Sequence, residues 1–246
     1  MGSGTIATGL ARLAADRGDV VLWARSDASA QRASTVVENL ADVVTELEAL
    51  QDSTLVIEAV AEDLKVKTEL LGLLDDVLPA DVPVSTTTSA LPVQHLAEAS
   101  GRPDRFAGVH FFNPVDKMKL VELCFPREAS DETRRQFKAL CEHLDKTAVE
   151  VPDSAGFVVN RLLFPYLFEA VRLVESSKLE PEAVDTCMKL GAGHPMGPLK
   201  LLDFIGLDVA AAIGEAMGVE VPETIARLAA AGRLGKKAGA GFYEYE

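Results

Sequence analysis

The feature that most constrains this chain is an alternation of strand-like and helix-like segments that stops near Pro152. Each strand-like segment is a short apolar run rich in β-branched residues, and the segments between them have apolar residues at helical spacing. The strand-like runs are 20–23, 55–60, 82–86, 106–112, 120–123 and 148–151, and the clearest helical patterns are 63–78, 92–99 and 131–145. From 157 to 240 the chain has helical patterns only.

Strands that alternate with helices are typical of a parallel sheet with helices on both faces. We therefore predict a doubly wound α/β domain over 1–151, followed by an all-α domain over 152–246. Within the first domain, residues 28–50 are expected to be helical and mostly polar.

Composition limits the partners of the chain. The formal net charge is −14 over 246 residues, so a nucleic-acid partner is not expected, and an anionic ligand needs a local group of lysines and arginines. The sequence has neither a signal-peptide pattern nor an uncharged run long enough to span a bilayer, which predicts a cytoplasmic protein without a membrane partner. The three cysteines, Cys124, Cys141 and Cys187, follow no metal or disulfide spacing, so no metal site is predicted.

A glycine-rich segment lies at the amino terminus. Gly2-x-Gly4-x-x-Ala7 fits the dinucleotide fingerprint of Rossmann-type folds, with a helix and then a strand behind it. The first glycine permits a tight turn, the second lets the backbone approach a pyrophosphate, and Ala7 lets the helix pack closely. Gly2, Gly4, Thr5 and Ile6 are therefore predicted to bind the phosphates through the start of the helix.

The strand that normally precedes such a loop has no counterpart before Gly2. We expect a sheet that lacks its first strand, which would leave the pairing edges of the neighbouring strands uncovered. The expected explanation is a misassigned start or residues upstream of Met1.

The residue after the second strand decides which dinucleotide fits. An acidic residue there usually accepts hydrogen bonds from the ribose hydroxyls, but this chain has Ala24, followed by Arg25 and Ser26. A cation and a hydroxyl suit a 2′-phosphate, whereas Arg25 can equally stack on adenine or face water. Arg25 is predicted to bind the cofactor, and the choice between NAD and NADP stays open.

A histidine closes the strand-like run 106–112. His110 lies at the carboxyl edge of the predicted sheet, where such folds bind ligands, and Glu122 follows on the next extended segment. A return of the chain through Asn113-Pro114 would bring the two side chains together. A carboxylate on one ring nitrogen fixes the tautomer, so that the other nitrogen can take a proton from an alcohol.

Several long motifs in the same order resemble one family. They are HFFNP (110–114), MKLVE (118–122), PDSAGFVVNRLL (152–163), KLGAGHPMGP (189–198), GKK (235–237) and GAGFY (239–243). The chain resembles the L-3-hydroxyacyl-CoA dehydrogenase family, including bacterial 3-hydroxybutyryl-CoA dehydrogenases, from Gly2 to Tyr245.

The resemblance implies reversible oxidation of a 3-hydroxyacyl-CoA by NAD, with 3-hydroxybutyryl-CoA as the expected substrate and a homodimer formed through the carboxyl-terminal domain. It implies site roles for matching residues: His110 as general base, Glu122 as its partner, Ser89, Asn113 and Asn160 at the substrate, and Glu62 and Lys67 at the cofactor. His95 and His143 match no motif and are expected on the surface.

Two further departures from the family pattern keep alternatives open. The region between Arg25 and Leu55 is short, without the helical hairpin that helps many members hold CoA, and Thr87 stands where the family usually has asparagine. A dehydrogenase acting on a free hydroxy acid or an acyl-carrier thioester is one alternative. A catalytically silent protein on the same fold is the other.

Overall fold

A computed structural model of the chain describes residues 1–245. The chain divides into two compact units, Met1–Ser154 and the part from Ala155 onward. Among the described residues, no helix has both the length and the apolar character needed to cross a membrane.

The first unit contains seven short strands and five α-helices. The strands are β1 (Val21–Trp23), β2 (Asp42–Val44), β3 (Val56–Glu58), β4 (Val84–Thr86), β5 (Phe106–Phe111), β6 (Leu120–Cys124) and β7 (Thr147–Glu150). The helices are α1 (Thr5–Ala15), α2 (Asp27–Val37), α3 (Leu64–Val77), α4 (Val93–Ala99) and α5 (Asp131–His143). The predicted α/β class is therefore confirmed.

The strands form two sheets, β1-β2 and β3-β4-β5-β6-β7. All neighbours are parallel except β5 and β6, which are antiparallel, so the sheets are mostly parallel, as predicted, with one antiparallel pair. The reason is the short connection between the two strands, because a parallel crossover needs a dozen or more residues. The antiparallel register sets His110 directly opposite Glu122.

The first two residues link the two sheets. The Met1 amino group donates to the Ile57 carbonyl at 2.7 Å, and the Ala59 amide donates to the Met1 carbonyl at 2.9 Å. On the other side, the Gly2 amide donates to the Trp23 carbonyl at 2.8 Å. The backbone of residues 1 and 2 thus forms hydrogen bonds with β1 of one sheet and with the β3 segment of the other. These two residues lie between the sheets, where folds of this class usually have their first strand.

The prediction of a helix over 28–50 was wrong beyond Val37. Helix α2 ends there, because Glu38 adopts φ of +54°, in the left-handed region that a right-handed helix cannot include. Strand β2 follows and pairs with β1, and a short 3₁₀ helix covers Leu47–Leu50.

The core of the first unit lies beneath β5, whose six residues are all buried. Phe137 and Cys141 of α5 pack against this strand in one apolar cluster. A second cluster joins Ala7 of α1 to Leu22 of β1, and the small side chain at residue 7 permits this close packing. The core thereby fixes the carboxyl edge of the sheet, where the site residues lie.

The second unit is helical, as predicted. It consists of α6 (Val159–Ser177), α7 (Pro181–Gly191), α8 (Pro198–Ile205), α9 (Leu207–Ala216) and α10 (Glu223–Ala230), packed around a shared apolar cluster.

A buried carboxylate anchors the end of the second unit. Asp203 of α8 is fully buried and accepts hydrogen bonds from the amides of Phe242 and Tyr243, each at 2.9 Å, and from the Tyr245 hydroxyl at 3.0 Å. A Cβ at Gly241 would lie 2.0 Å from Asp203 Oδ1, so only glycine fits there. The GAGFY motif is therefore explained by this anchoring.

The cysteines are all free thiols. Cys124 and Cys141 are buried, and burial raises the pKa of Cys124 to about 12 and that of Cys141 to about 11. Cys187 is exposed. Among residues 1–245, no three His, Cys, Asp or Glu side chains form a cluster able to hold a metal ion.

Candidate active site

The glycine loop has the geometry of a phosphate-binding turn. Gly2 has φ of +109°, and a Cβ on it would lie 2.4 Å from the Ala59 carbonyl oxygen, so a side chain is excluded. Gly4 is the N-cap of α1 and has no atom within 4 Å of where its Cβ would be. The first amides of α1, at Thr5 and Ile6, therefore face an open space that an anionic group can approach.

That space is a cavity of about 680 Å³ in the first unit. Its lining includes all the predicted cofactor residues except Lys67, namely Gly2, Gly4, Thr5, Ile6, Arg25 and Glu62, and also Ser89. It further includes Trp23, Ser29, Arg32 and Glu69, which the sequence reasoning did not single out. Ser29 and Arg32 lie one helical turn apart after the predicted ribose position, and this spacing is the signal that could have identified these two residues.

Glu62 joins two loops at the edge of the sheet. Its Oε1 accepts hydrogen bonds from the Thr88 hydroxyl at 2.6 Å, the Ser89 amide at 2.7 Å and the Ala90 amide at 3.1 Å. Glu62 follows β3 and the other three residues follow β4, so one carboxylate oxygen fixes both loops. Thr87, at the position where asparagine is usual, also lines the cavity.

Lys67 lies away from the cavity surface, in a buried ion pair. Its side chain is fully buried, and Nζ donates to the two carboxylate oxygens of Glu58 at 2.8 and 2.9 Å. Glu58 also accepts from the Thr86 hydroxyl at 2.7 Å and from the Val60 amide at 2.6 Å. Glu62 is 3.7 Å from the same ammonium. The ion pair thus supports the loop that carries Glu62. In the sequence, the feature that could have indicated this pair is a glutamate, Glu58, within an apolar strand-like run.

His110 and Glu122 lie side by side on β5 and β6. The distance from His110 Nδ1 to Glu122 Oε2 is 2.7 Å, and both side chains are buried. Because a carboxylate only accepts hydrogen bonds, the proton of the neutral ring lies on Nδ1 and the ring lone pair lies on Nε2. Phe112 packs edge-on against the imidazole, with ring centroids 4.5 Å apart. The ring is therefore held in one tautomer and one orientation.

The predicted substrate residues are distributed over both units. Ser89 follows β4 and is half-buried, and it lies at the same sheet edge as His110 because β4 and β5 are parallel neighbours. Asn113 is exposed after β5, and its peptide bond to Pro114 is cis. Asn160 belongs to the second unit, where it is buried near the start of α6. His95 and His143 are both exposed.

Comparison with known proteins identifies relatives of the whole chain. A probable 3-hydroxybutyryl-CoA dehydrogenase of Bacillus subtilis (strain 168) is 38% identical over 274 aligned positions, which cover 100% of this chain and 96% of the relative. A 3-hydroxybutyryl-CoA dehydrogenase of Clostridioides difficile is 36% identical, with coverage of 100% and 98%.

Solved structures agree with these sequence relatives. The crystal structure of M. tuberculosis FadB2 matches with a TM-score of 0.93 at 34% identity, covering 100% of this chain and 98% of the other. That of (S)-3-hydroxybutyryl-CoA dehydrogenase PaaH1 from Ralstonia eutropha gives 0.90 at 34% identity, with coverage of 100% and 97%.

Family models match both parts of the chain. Residues 1–154 match the model described as 3-hydroxyacyl-CoA dehydrogenase, NAD binding domain, which confirms the predicted NAD-binding domain of this family. Residues 156–245 match the model described as 3-hydroxyacyl-CoA dehydrogenase, C-terminal domain. The chain therefore belongs to the 3-hydroxyacyl-CoA dehydrogenase family.

Proposed function

We propose that this chain catalyses the reversible oxidation of a short-chain 3-hydroxyacyl-CoA, 3-hydroxybutyryl-CoA in particular, to the 3-oxoacyl-CoA. The observation that carries the proposal is the buried pair of His110 and Glu122 at the sheet edge that also borders the cavity of the glycine loop. The names of the full-length relatives supply the substrate class.

The cavity fits a nicotinamide dinucleotide. The backbone at Gly2 and Gly4 and the first amides of α1 would hold the pyrophosphate, and Glu62 would border the cofactor from the loop after β3. When bound there, a dinucleotide would supply the redox chemistry of the reaction, which is hydride exchange with C3 of the substrate.

His110 moves the proton of the substrate hydroxyl. In the oxidation direction, Nε2 accepts this proton, and the imidazolium that forms keeps its Nδ1–H donated to Glu122. The buried carboxylate stabilises the new positive charge more strongly than an exposed one would, because water screens little at this depth. In the reverse direction, the same imidazolium returns the proton to the carbonyl oxygen.

The substrate contacts of Ser89, Asn113 and Asn160 stay proposals carried by the family resemblance. For Ser89, the hydrogen bond that its backbone amide donates to the Glu62 carboxylate supports a fixed position of its loop at the sheet edge. Lys67 is proposed to act on the cofactor through the loop of Glu62, because its ammonium is buried against Glu58.

A homodimer formed through the second unit is also part of the proposal. The second unit has an apolar cavity of about 510 Å³, bordered by Leu162 and Phe204, which are 71% and 49% exposed. Apolar side chains exposed together on one surface commonly mark a protein interface. The cytoplasmic location stays a prediction from the sequence.

The test is the activity of a His110→Ala variant with acetoacetyl-CoA and reduced dinucleotide, followed by the loss of dinucleotide absorbance. Removal of a general acid–base group should lower kcat by roughly 10²- to 10⁴-fold. His95→Ala is the matched control, because His95 is an exposed histidine outside the site. Undiminished turnover by His110→Ala would overturn the assignment of the base.

A second comparison tests the substrate class. The wild-type chain is assayed with 3-hydroxybutyryl-CoA, longer 3-hydroxyacyl-CoA esters, the acyl-carrier thioester and free 3-hydroxybutyrate. The proposal requires the highest kcat/KM for the short CoA ester. Faster turnover of the free acid or the acyl-carrier thioester would favour the alternative suggested by the short region between Arg25 and Leu55.

A further inference from the structure

We propose that this cavity is built for a dinucleotide with a phosphate at the 2′ position of its adenosine ribose, so that the chain binds NADP(H) more tightly than NAD(H). The proposal rests on the proposed function only in requiring a nicotinamide dinucleotide in the cavity. The matched domain is described as NAD binding, but the residues that normally make this choice differ in the present chain.

The residue directly after β1 is the first argument. Dinucleotide-binding folds with a preference for NAD carry an acidic residue here, which accepts hydrogen bonds from the ribose hydroxyls. This chain has Ala24, which is fully buried and whose amide donates to the Val44 carbonyl at 2.9 Å. An alanine methyl cannot accept from a hydroxyl. It also lacks the negative charge that would repel a 2′-phosphate.

Two arginines on the cavity wall are the second argument. Arg25 follows Ala24 directly, and Arg32 lies on α2 one turn after Ser29, which also lines the cavity. Both arginines are exposed, and neither takes part in the arginine salt bridges found among residues 1–245. A guanidinium matches the geometry of a phosphate group and binds it through charge-assisted hydrogen bonds.

The carboxylates of the cavity do not take the place of the missing acid. Glu62 uses Oε1 to hold three donors of the loop 88–90. Glu69 lies on α3, with the Lys65 ammonium 3.8 Å from its carboxylate. Neither residue follows β1, where the ribose is bound in such folds. The charged side chains that the segment from β1 to the end of α2 contributes to the cavity are therefore the two arginines.

Trp23 provides a direct binding signal. It is the single tryptophan of the chain and lines the cavity, so a bound dinucleotide should quench its fluorescence. The purified full chain is titrated with NADP⁺, NAD⁺, 2′,5′-ADP and 5′-ADP, and calorimetry repeats the four titrations independently of fluorescence. We expect a lower Kd for NADP⁺ than for NAD⁺, and for 2′,5′-ADP than for 5′-ADP.

The variants separate recognition of the 2′-phosphate from stacking on adenine. Arg25→Gln should weaken NADP⁺ binding about 10- to 100-fold and leave NAD⁺ binding nearly unchanged, because the lost contact is a charge-assisted hydrogen bond to the phosphate. Arg32→Gln should act in the same direction. Arg135→Gln is the matched control, because Arg135 is an exposed arginine on α5 that does not line the cavity.

Two results would overturn the proposal while leaving the proposed function intact. One is tighter binding of NAD⁺ than of NADP⁺ by the wild-type chain. The other is an equal loss of affinity for NADP⁺ and NAD⁺ in Arg25→Gln, which would assign the arginine to stacking on adenine. If neither dinucleotide binds, the cofactor site of the proposed function is itself wrong, and this inference with it.

Discussion

The buried pair of Lys67 and Glu58 gives a prediction with a definite size. Lys67→Met removes the ammonium but keeps most of the side-chain volume. Glu58 then loses two hydrogen bonds and the ammonium paired with it, and its remaining donors among residues 1–245 are the Thr86 hydroxyl and the Val60 amide. Breaking a buried ion pair by removing one partner destabilises a protein by roughly 3–5 kcal/mol, because an uncompensated charge stays buried.

The measurement is urea or thermal unfolding followed by the fluorescence of Trp23. As the single tryptophan, it reports on the first unit. For a domain of this size, the expected loss corresponds to a fall in Tm of roughly 6–20 °C. The double variant Glu58→Met/Lys67→Met should recover part of the loss, because an apolar pair of similar volume leaves no buried charge, while the Thr86 hydroxyl and the Val60 amide lose their acceptor.

Lys65→Met is the matched control on the same helix. Lys65 is 83% exposed, and its nearest carboxylate, that of Glu69, lies at 3.8 Å. A solvated pair of this kind contributes about 0.5 kcal/mol or less. If Lys67→Met unfolds no more easily than Lys65→Met, or if the double variant is less stable than Lys67→Met, the reasoning about the buried charge is refuted.

Two further predictions concern the second unit. Burial, and then the hydrogen bond to Asp185, raise the pKa of the Tyr243 hydroxyl, so its contribution to stability should be complete below about pH 10 and decline as the pH rises above that value. Between pH 9 and 11, the free energy of unfolding measured in urea should fall less with rising pH for Tyr243→Phe than for the wild-type chain. An equal dependence on pH in the two chains would contradict this. In sedimentation experiments, Leu162→Glu and Phe204→Glu should shift a dimer toward monomer, whereas Leu40→Glu, at an exposed position of the first unit, should not.

The sequence predicted the large divisions of this fold well. Alternating strand and helix patterns identified the α/β unit, and the lack of strand patterns after Pro152 identified the helical unit. Strand β2 was missed because its three residues, an exposed Asp42 followed by the half-buried Val43 and Val44, give no clear alternation of apolar and polar positions. The local pattern there could not be distinguished from the end of a polar helix.

The site was predictable where its residues stand in long motifs, and less so where they depend on packing. The short connection after Phe112 already indicated that His110 and Glu122 would meet, and their side chains do lie 2.7 Å apart. The pairing of Glu58 with Lys67 depends instead on how α3 lies on the sheet, which no local pattern records. For the same reason, Lys67 was expected at the cofactor although its ammonium is buried.

The bonds of Glu62 have a consequence for redesign of the enzyme. One carboxylate oxygen of Glu62 accepts hydrogen bonds from Thr88, Ser89 and Ala90. The position of the cavity wall at Glu62 is therefore coupled to the position of the loop that carries the proposed substrate serine. A substitution at residue 62 intended to alter cofactor affinity would release the serine loop as well, and KM for the acyl substrate would change with it. Cofactor preference is better altered from the wall formed by Arg25 and Arg32, which has no such connection to that loop among the contacts of residues 1–245.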